Sequence, residues 1–327
     1  MNDKNVFLSI CIPTFNREPY LRKSLSELLP QLQGRSLEDV EVLVSDNCST
    51  DNTEAVVTEA VEKYNVPISY SRNEKNIGGN NNMAKVISRS SGQYVYIMGD
   101  DDVLSPDFIN IIFRLLKTGD DISLIHWNRL SGDSNCSNNY LYDRIYDTPC
   151  EIGSFDKFIR RVLERGSLIS SILFNRVCWD KGEPYDKKDY FGYNWYGRIL
   201  FGAALHNKKC IYYYFPLIIQ CIQSHSWAKY WPQYIISSMS NIFYDLDPIV
   251  PGVYDQWLKK LKTKIPTELP SIGGFRSYYR QKDIKVSIFK HLNKWEKIKY
   301  NYYVIPGTYK IYRIKMVIKK KLLKVLG

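Results

Sequence analysis

The sequence predicts an α/β fold, a mixed and mostly parallel sheet flanked by helices, followed by a mainly helical, basic C-terminal extension. Three observations carry that prediction. Short apolar runs alternate with helix-period segments through the first 125 residues, the pattern of right-handed βαβ units. Polar segments at residues 14–17, 46–51, 72–79 and 99–102 all fall at the carboxyl ends of those apolar runs, where open sheets bind ligands. The net charge of +11 lies at one end of the chain: residues 281–327 hold 13 Lys/Arg against Asp283 and Glu296, which leaves the first 280 residues neutral.

Residues 6–12 read as a buried strand ended by Pro13. A helix follows from about Tyr20, with Leu21, Leu25, Leu28, Leu29 and Leu32 on one apolar face. Residues 40–44 form a second strand. Asp51 with Glu54 three positions on gives a capping-box-like start to a helix reaching about Tyr64, with Val56, Val57, Ala60, Val61 and Tyr64 inward. After Pro67 comes a third strand over residues 68–71. Gly78 and Gly79 lead into a helix over residues 81–90, Gly92 ends it, and residues 94–98 form the strand that feeds Asp100, Asp101 and Asp102. Pro106 opens a further helix and residues 122–127 a further strand. Residues 131–149 read as irregular, 155–163 as helix and 169–174 as strand. Residues 186–202 are dense in aromatics and glycine, and beyond Pro216 the pattern turns helical and irregular.

Composition narrows the classes. With 14% aromatic residues the chain is not wholesale disordered. Its seven cysteines are odd in number and never in C-x-x-C spacing, which argues against a disulfide framework or a zinc knuckle and for a reducing, cytoplasmic setting. No run of about eighteen apolar residues occurs, the usual minimum for a membrane span. The nearest candidate, residues 211–222, is broken by Pro216 and Gln220, and the amino terminus reads as a strand rather than a leader.

Three adjacent carboxylates are costly to gather: at about 4 Å and an effective dielectric near 20, each pair repels by roughly 4 kcal/mol. A solvated acidic turn is one reading and a divalent-cation site the other.

The segments SICIPTFNREPYL, VLVSDNCSTDNT, RNEKNIGGNNN and GDDDVLSPDF, in that order and about thirty residues apart, resemble the nucleotide-sugar domain of family 2 glycosyltransferases of GT-A fold. The resemblance implies a division into a glycosyltransferase domain over residues 1–230, of which 1–125 bind the nucleotide-sugar and 126–230 the acceptor, and a helical basic extension over 231–327. It implies that Pro13, Thr14 and Asn16 cradle the nucleoside, that Asp46 accepts a hydrogen bond from base or ribose, and that Arg72 lies near the nucleotide. Asp100 and Asp101 would meet the ribose, and Asp102 and Asp100 would hold Mg²⁺ or Mn²⁺ bridging the diphosphate. Gly99 stands where the commoner D-x-D-D form has its leading carboxylate. An inverting mechanism would need a general base, for which Asp189 is favoured over Asp186, with Glu183 a further candidate. His225 matches a late metal or diphosphate ligand. The relatives resembled include O-antigen and capsule transferases of the abequosyl type, so the expected partners are a nucleotide-diphosphate sugar donor and a polyprenyl-diphosphate-linked oligosaccharide acceptor.

Residues 310–324 resemble a basic amphipathic helix that would rest on an anionic membrane surface, at about 1 kcal/mol for each Lys or Arg near the leaflet. No nucleic-acid module accompanies it. A sugar-nucleotide nucleotidyltransferase and a noncatalytic polyanion- or lipid-binding protein remain as alternatives. The former would need a glycine-rich basic loop after the first strand, where this chain has PTFNREP.

Overall fold

The first buried strand runs as β1, Leu8–Thr14, in the computed structural model, which describes residues 6–36, 38–117, 121–132, 140–141, 150–163, 169–185, 194–221 and 238–268. β1 pairs in parallel with β2 (Val40–Asp46) on one side and β4 (Tyr94–Ile97) on the other, and β2 pairs in parallel with β3 (Ile68–Arg72). Pro13 does not end β1. Pairing with β4 stops at Cys11 opposite Ile97, whereas pairing with β2 continues to Thr14 opposite Asp46. Pro13 faces the side where the ladder has already ended, so its missing N–H leaves no acceptor unpaired.

The connecting helices pack as their apolar spacing dictates. α1 (Glu18–Leu28) and a 3₁₀ turn over Leu29–Leu32 bury Leu21, Leu25, Leu28, Leu29 and Leu32. α2 (Thr53–Tyr64) buries Val56, Val57 and Ala60, and α3 (Gly79–Arg89) buries Val86 and Ile87. The expected capping box at Asp51 does not form. Asp51 Oδ1 accepts from the Thr53 hydroxyl at 2.5 Å and the Thr53 amide at 3.2 Å, while Oδ2 accepts the Glu18 amide at 3.0 Å, so one carboxylate ties the starts of two helices together.

The second part of the sheet departs more from the sequence reading. It adds β5 (Val103–Leu104), β6 (Ile122–Gly132), β7 (Tyr140–Leu141), β8 (Cys150–Gly153), β9 (Ile172–Asn175) and β10 (Lys209–Cys221), with helices α4 (Phe108–Leu116), α5 (Phe155–Leu163), α6 (Arg176–Lys181) and α7 (Asn194–His206). Among the described residues the sheet order is β3-β2-β1-β4-β9-β6-β10-β5, with β7 on β6 and β8 on β10. β9 is antiparallel to both β4 and β6, and β6 and β10 are parallel. β10 passes straight through Pro216, where the expected change to helix does not occur. Register shifts on either side of Pro216 absorb the residue that cannot donate to the ladder. The core centres on Tyr96, Phe108 and Trp127, whose ring centroids lie 5.0 to 5.3 Å apart between sheet and α4.

The chain divides into two compact units, Met1–His225 and Ser226–Gly327. The described part of the second is α8 (Met239–Leu246) and α9 (Val253–Glu268), packed through Phe243 and Trp257 at 5.1 Å, with the Trp257 indole N–H donating to Ser240 Oγ at 2.9 Å. No helix among the described residues is long and apolar enough to cross a membrane. The basic tail lies outside the described residues.

Candidate active site

The loops after β1, β2, β3 and β4 are joined to one another by side chains. Thr14, the last residue of β1 and 3% exposed, donates its hydroxyl to Asp100 Oδ2 at 2.8 Å. Arg17 Nη1 lies 2.6 Å from Asp101 Oδ2 and 3.8 Å from Asp100 Oδ1. Asn16, held at φ +52°, accepts the Thr50 amide on Oδ1 at 2.7 Å and gives its own amide to Ser49 Oγ at 2.8 Å. Its side chain therefore ties the first loop to the second, and Pro13 sits half-buried beside it.

Asp46 ends β2 and is 1% exposed. Its Oδ1 accepts the Ser49 hydroxyl at 2.5 Å and the Ser49 amide at 2.8 Å; its Oδ2 accepts the Tyr70 hydroxyl at 2.8 Å, with Arg72 Nε at 3.7 Å. Arg72 Nη2 in turn donates to the Ser49 carbonyl at 2.9 Å. Asp46 thus shapes the turn from within, rather than presenting an open acceptor to a base. Burial and the Asp46 carboxylate hold the Tyr70 phenol well above its ordinary range, so it stays a donor.

The asparagine-rich stretch after β3 forms a buried amide network. Asn73 Nδ2 donates to Asn47 Oδ1 at 3.0 Å and to Asn82 Oδ1 at 2.9 Å, and Asn82 Nδ2 donates to the Ser45 carbonyl at 2.7 Å. Gly78, at φ +83° and ψ 150°, is the turn into α3 that only glycine adopts readily.

The three aspartates have different surroundings. Asp100 and Asp102 are 7% and 3% exposed, while Asp101 is half-buried. Ser170 Oγ accepts the Gly99 amide at 2.8 Å and donates to Asp102 Oδ2, so the Asp102 carboxylate turns inward. Ser24 Oγ spans the turn, 2.9 Å from the carbonyls of both Asp100 and Asp102. A side chain at position 99 would start 3.0 Å from both Asp102 Oδ2 and Ser170 Oγ, which explains glycine in the leading position. Burial and then the charge of Asp101 push the Asp100 and Asp102 carboxyls up to about 7, against the pull of Arg17 and Thr14 on the first and Ser170 and Arg129 on the second.

A divalent cation fits this donor set. Hard carboxylate oxygens crowded enough to resist ionisation are what such an ion relieves. Among the described residues no three His, Cys, Asp or Glu side chains converge as ligands, so the protein would supply one or two carboxylates and phosphate and water the remainder. Asp101 is the most exposed of the three; of the two expected metal ligands, Asp100 is buried against Thr14 and Asp102 against Ser170. Asp186, Asp189 and His225 lie outside the described residues; Glu183 is exposed in a 3₁₀ turn over Glu183–Tyr185. Sequence reasoning missed Arg17, Ser24, Ser49, Tyr70 and Ser170, whose roles come from contacts 23 to 84 residues away, except for the Ser49 bonds to Asp46.

Residues 9–165 match the sequence profile described as glycosyl transferase family 2. The chain carries a family 2 glycosyltransferase domain. The family 2 relatives include the abequosyltransferase RfbV of Salmonella typhimurium, 29% identical over 65% of this chain and 66% of that protein. Another is the GalNAc(5)-diNAcBac-PP-undecaprenol beta-1,3-glucosyltransferase of Campylobacter jejuni, 31% identical over 34% of this chain and 35% of that protein. The alignments thus span less than two-thirds of these relatives' lengths. Among solved structures, residues 1–349 of TarS from S. aureus superpose with a TM-score of 0.61 at 12% identity, over 86% of this chain and 83% of that one. The mannosyltransferase PcManGT of Pyrobaculum calidifontis gives 0.52 at 13% identity, over 87% and 84%. At such identities the likeness establishes the fold, which is the GT-A type that the motifs of the family 2 domain imply.

Proposed function

We propose that the chain is a metal-dependent, inverting glycosyltransferase that moves a sugar from a nucleotide-diphosphate donor to a polyprenyl-diphosphate-linked oligosaccharide in bacterial surface polysaccharide synthesis. The observation that carries this reading is the joining of all four strand-end loops around Asp46 and Asp100–Asp102, within the segment that matches family 2. Support for the partners comes from relatives: one is named for a PP-undecaprenol acceptor, TarS has been crystallised with UDP-GlcNAc, and PcManGT with GDP-Man and Mn²⁺.

In this reading Asp46 and Tyr70 hold the Ser49 turn in shape, so that the Ser49 carbonyl and the half-exposed Arg72 guanidinium form one wall of the nucleoside site. Asp101 and Asp100 would hold the cation, while Ser170 keeps Asp102 fixed. A divalent cation would neutralise the departing diphosphate. A carboxylate from the 183–189 region would take the proton of the acceptor hydroxyl as that oxygen attacks the anomeric carbon from the opposite face. The basic tail would keep the enzyme at the inner face of the cytoplasmic membrane, next to a lipid-linked acceptor.

The first test is thermal unfolding with UDP, GDP, CDP and TDP, each with Mn²⁺. A ligand at a hundred times its dissociation constant stabilises by about 2.7 kcal/mol, so a binder is plain to see. Stabilisation by one base, with a Mn²⁺-dependent increment that is lost in D101A, is the expected result; no response to any of the four would refute the donor site. Product anomeric configuration by NMR tests inversion, and liposome flotation with and without the residues after Pro306 tests the tail.

A further inference from the structure

The aspartate cluster already holds a cation of the chain's own. Arg17 immediately precedes α1, and its backbone is fixed: its carbonyl accepts the amides of Tyr20 at 3.1 Å and Leu21 at 3.0 Å, and the next amide, of Glu18, is held by Asp51 at 3.0 Å. From that base the guanidinium reaches across to Asp101 at 2.6 Å and Asp100 at 3.8 Å, with its carbon 5.7 Å from the Tyr20 ring. The Arg17 and Asp101 side chains are 23% and 21% exposed. Each keeps some contact with solvent, so parting them costs less than parting a fully buried pair. The oxygens that Arg17 occupies are those a hard divalent cation would seek, and a planar guanidinium is equally suited to the paired oxygens of a diphosphate.

Building on the glycosyltransferase reading, we propose that Arg17 is a resident counter-ion that competes with the divalent cation for Asp101, and that a nucleoside diphosphate, by offering the guanidinium another anionic partner, frees Asp101 for the metal. Arg17 is then a positioning residue that couples the two ligands. Each tightens the other's binding by the same factor, as linkage requires. Free metal binds weakly because it must displace the arginine, and the donor draws its cation in with it.

The measurement is Mn²⁺ binding followed by the EPR signal of the free ion, on wild type, R17Q, R17K and R17Q/D101N, alone and with UDP, GDP, CDP or TDP. Without nucleotide, R17Q should bind Mn²⁺ about fivefold or more tighter than wild type, the lower end of ordinary coupling between sites. R17K, which keeps the charge, should stay nearer wild type than R17Q, and R17Q/D101N should lose the gain. The tightening of Mn²⁺ binding by nucleotide should be smaller in R17Q than in wild type. A second route does not depend on R17Q folding: D101N, which releases the guanidinium, should bind the nucleoside diphosphate more tightly than wild type when metal is absent. Equal or weaker Mn²⁺ affinity in R17Q, including none detectable, overturns the counter-ion role. Failure of all four diphosphates to bind, alongside tighter Mn²⁺ binding by R17Q, would instead sink the donor reading and leave the counter-ion standing.

Discussion

The carboxylate of Asp102 and the hydroxyl of Ser170 are hydrogen-bonded over the α-carbon of Gly99, each 3.0 Å from the point where a side chain at that position would begin. Asp102 and Ser170 thereby occupy the space that a side chain at position 99 would enter. Restoring the leading carboxylate of the commoner motif with G99D should not restore function. It should destabilise the chain by about 1 to 3 kcal/mol, the cost of overpacking a filled site, and G99A should do so to a smaller degree. Urea unfolding measures both; a G99D chain as stable as wild type would show that Asp102 and Ser170 move aside freely.

Asp46 accepts three hydrogen bonds inside the fold, from the Ser49 amide and hydroxyl and the Tyr70 hydroxyl. D46A leaves those donors facing a cavity, at about 1 to 3 kcal/mol for each buried group left unsatisfied. We expect a large loss in urea midpoint together with loss of nucleotide binding, whereas Y70F, which removes one donor, should keep most of both. Unchanged stability in D46A with binding alone abolished would point to a direct contact with the base.

Stability should depend on pH through Asp100 and Asp102, whose carboxyls in the metal-free protein are raised from 3.8 to about 7 by burial and by Asp101. Below the ordinary value both folded and unfolded chains hold these protons and the contribution is fully present. As pH rises, the unfolded chain releases protons that the folded chain retains, so stability falls progressively until the folded groups ionise near neutrality. Urea midpoints taken across that window, with and without Mn²⁺, should fall without metal and recover with it near neutral pH. D102N, with no proton to lose at that position, should flatten the slope; an equally steep slope in D102N would exclude Asp102 as a source.

A Cβ at Gly202 would stand 1.5 Å from the Cys178 carbonyl oxygen, so α6 and α7 cross in backbone contact there. G202A should cost about 3 kcal/mol or more, in the range reserved for major packing faults, and should appear as a loss of soluble, cooperatively unfolding protein. A cooperative transition at the wild-type midpoint would contradict the crossing.

The first half of the fold was legible because its central strands are short continuous apolar runs, buried on both faces, and alternate with helices that have one apolar face. α7 escaped notice for the opposite reason: Trp195, Tyr196, Gly197, Ile199, Leu200, Phe201, Gly202, Ala203 and Ala204 are all buried, so no polar face marks a helical period. β10 was hidden by Pro216, which reads as a breaker until the register shifts around it are seen. Within the site, the aspartates and Asp46 announce themselves by residue type and spacing. Ser170 and Arg17 do not, since a serine before a late strand and an arginine before the first helix gain meaning only when folding brings them to Gly99 and Asp101.

Asp51 gives the Arg17 arrangement its mechanical character. By gripping the start of α1 and the start of α2 at once, it denies the chain around Arg17 any freedom to follow the guanidinium. The arginine is a lever on a fixed fulcrum, able to swing its head between two anionic seats while its root stays put. Loosening that fulcrum, as D51A would, should blur the choice between seats without removing either one, so that metal and nucleotide would still bind but no longer sense each other.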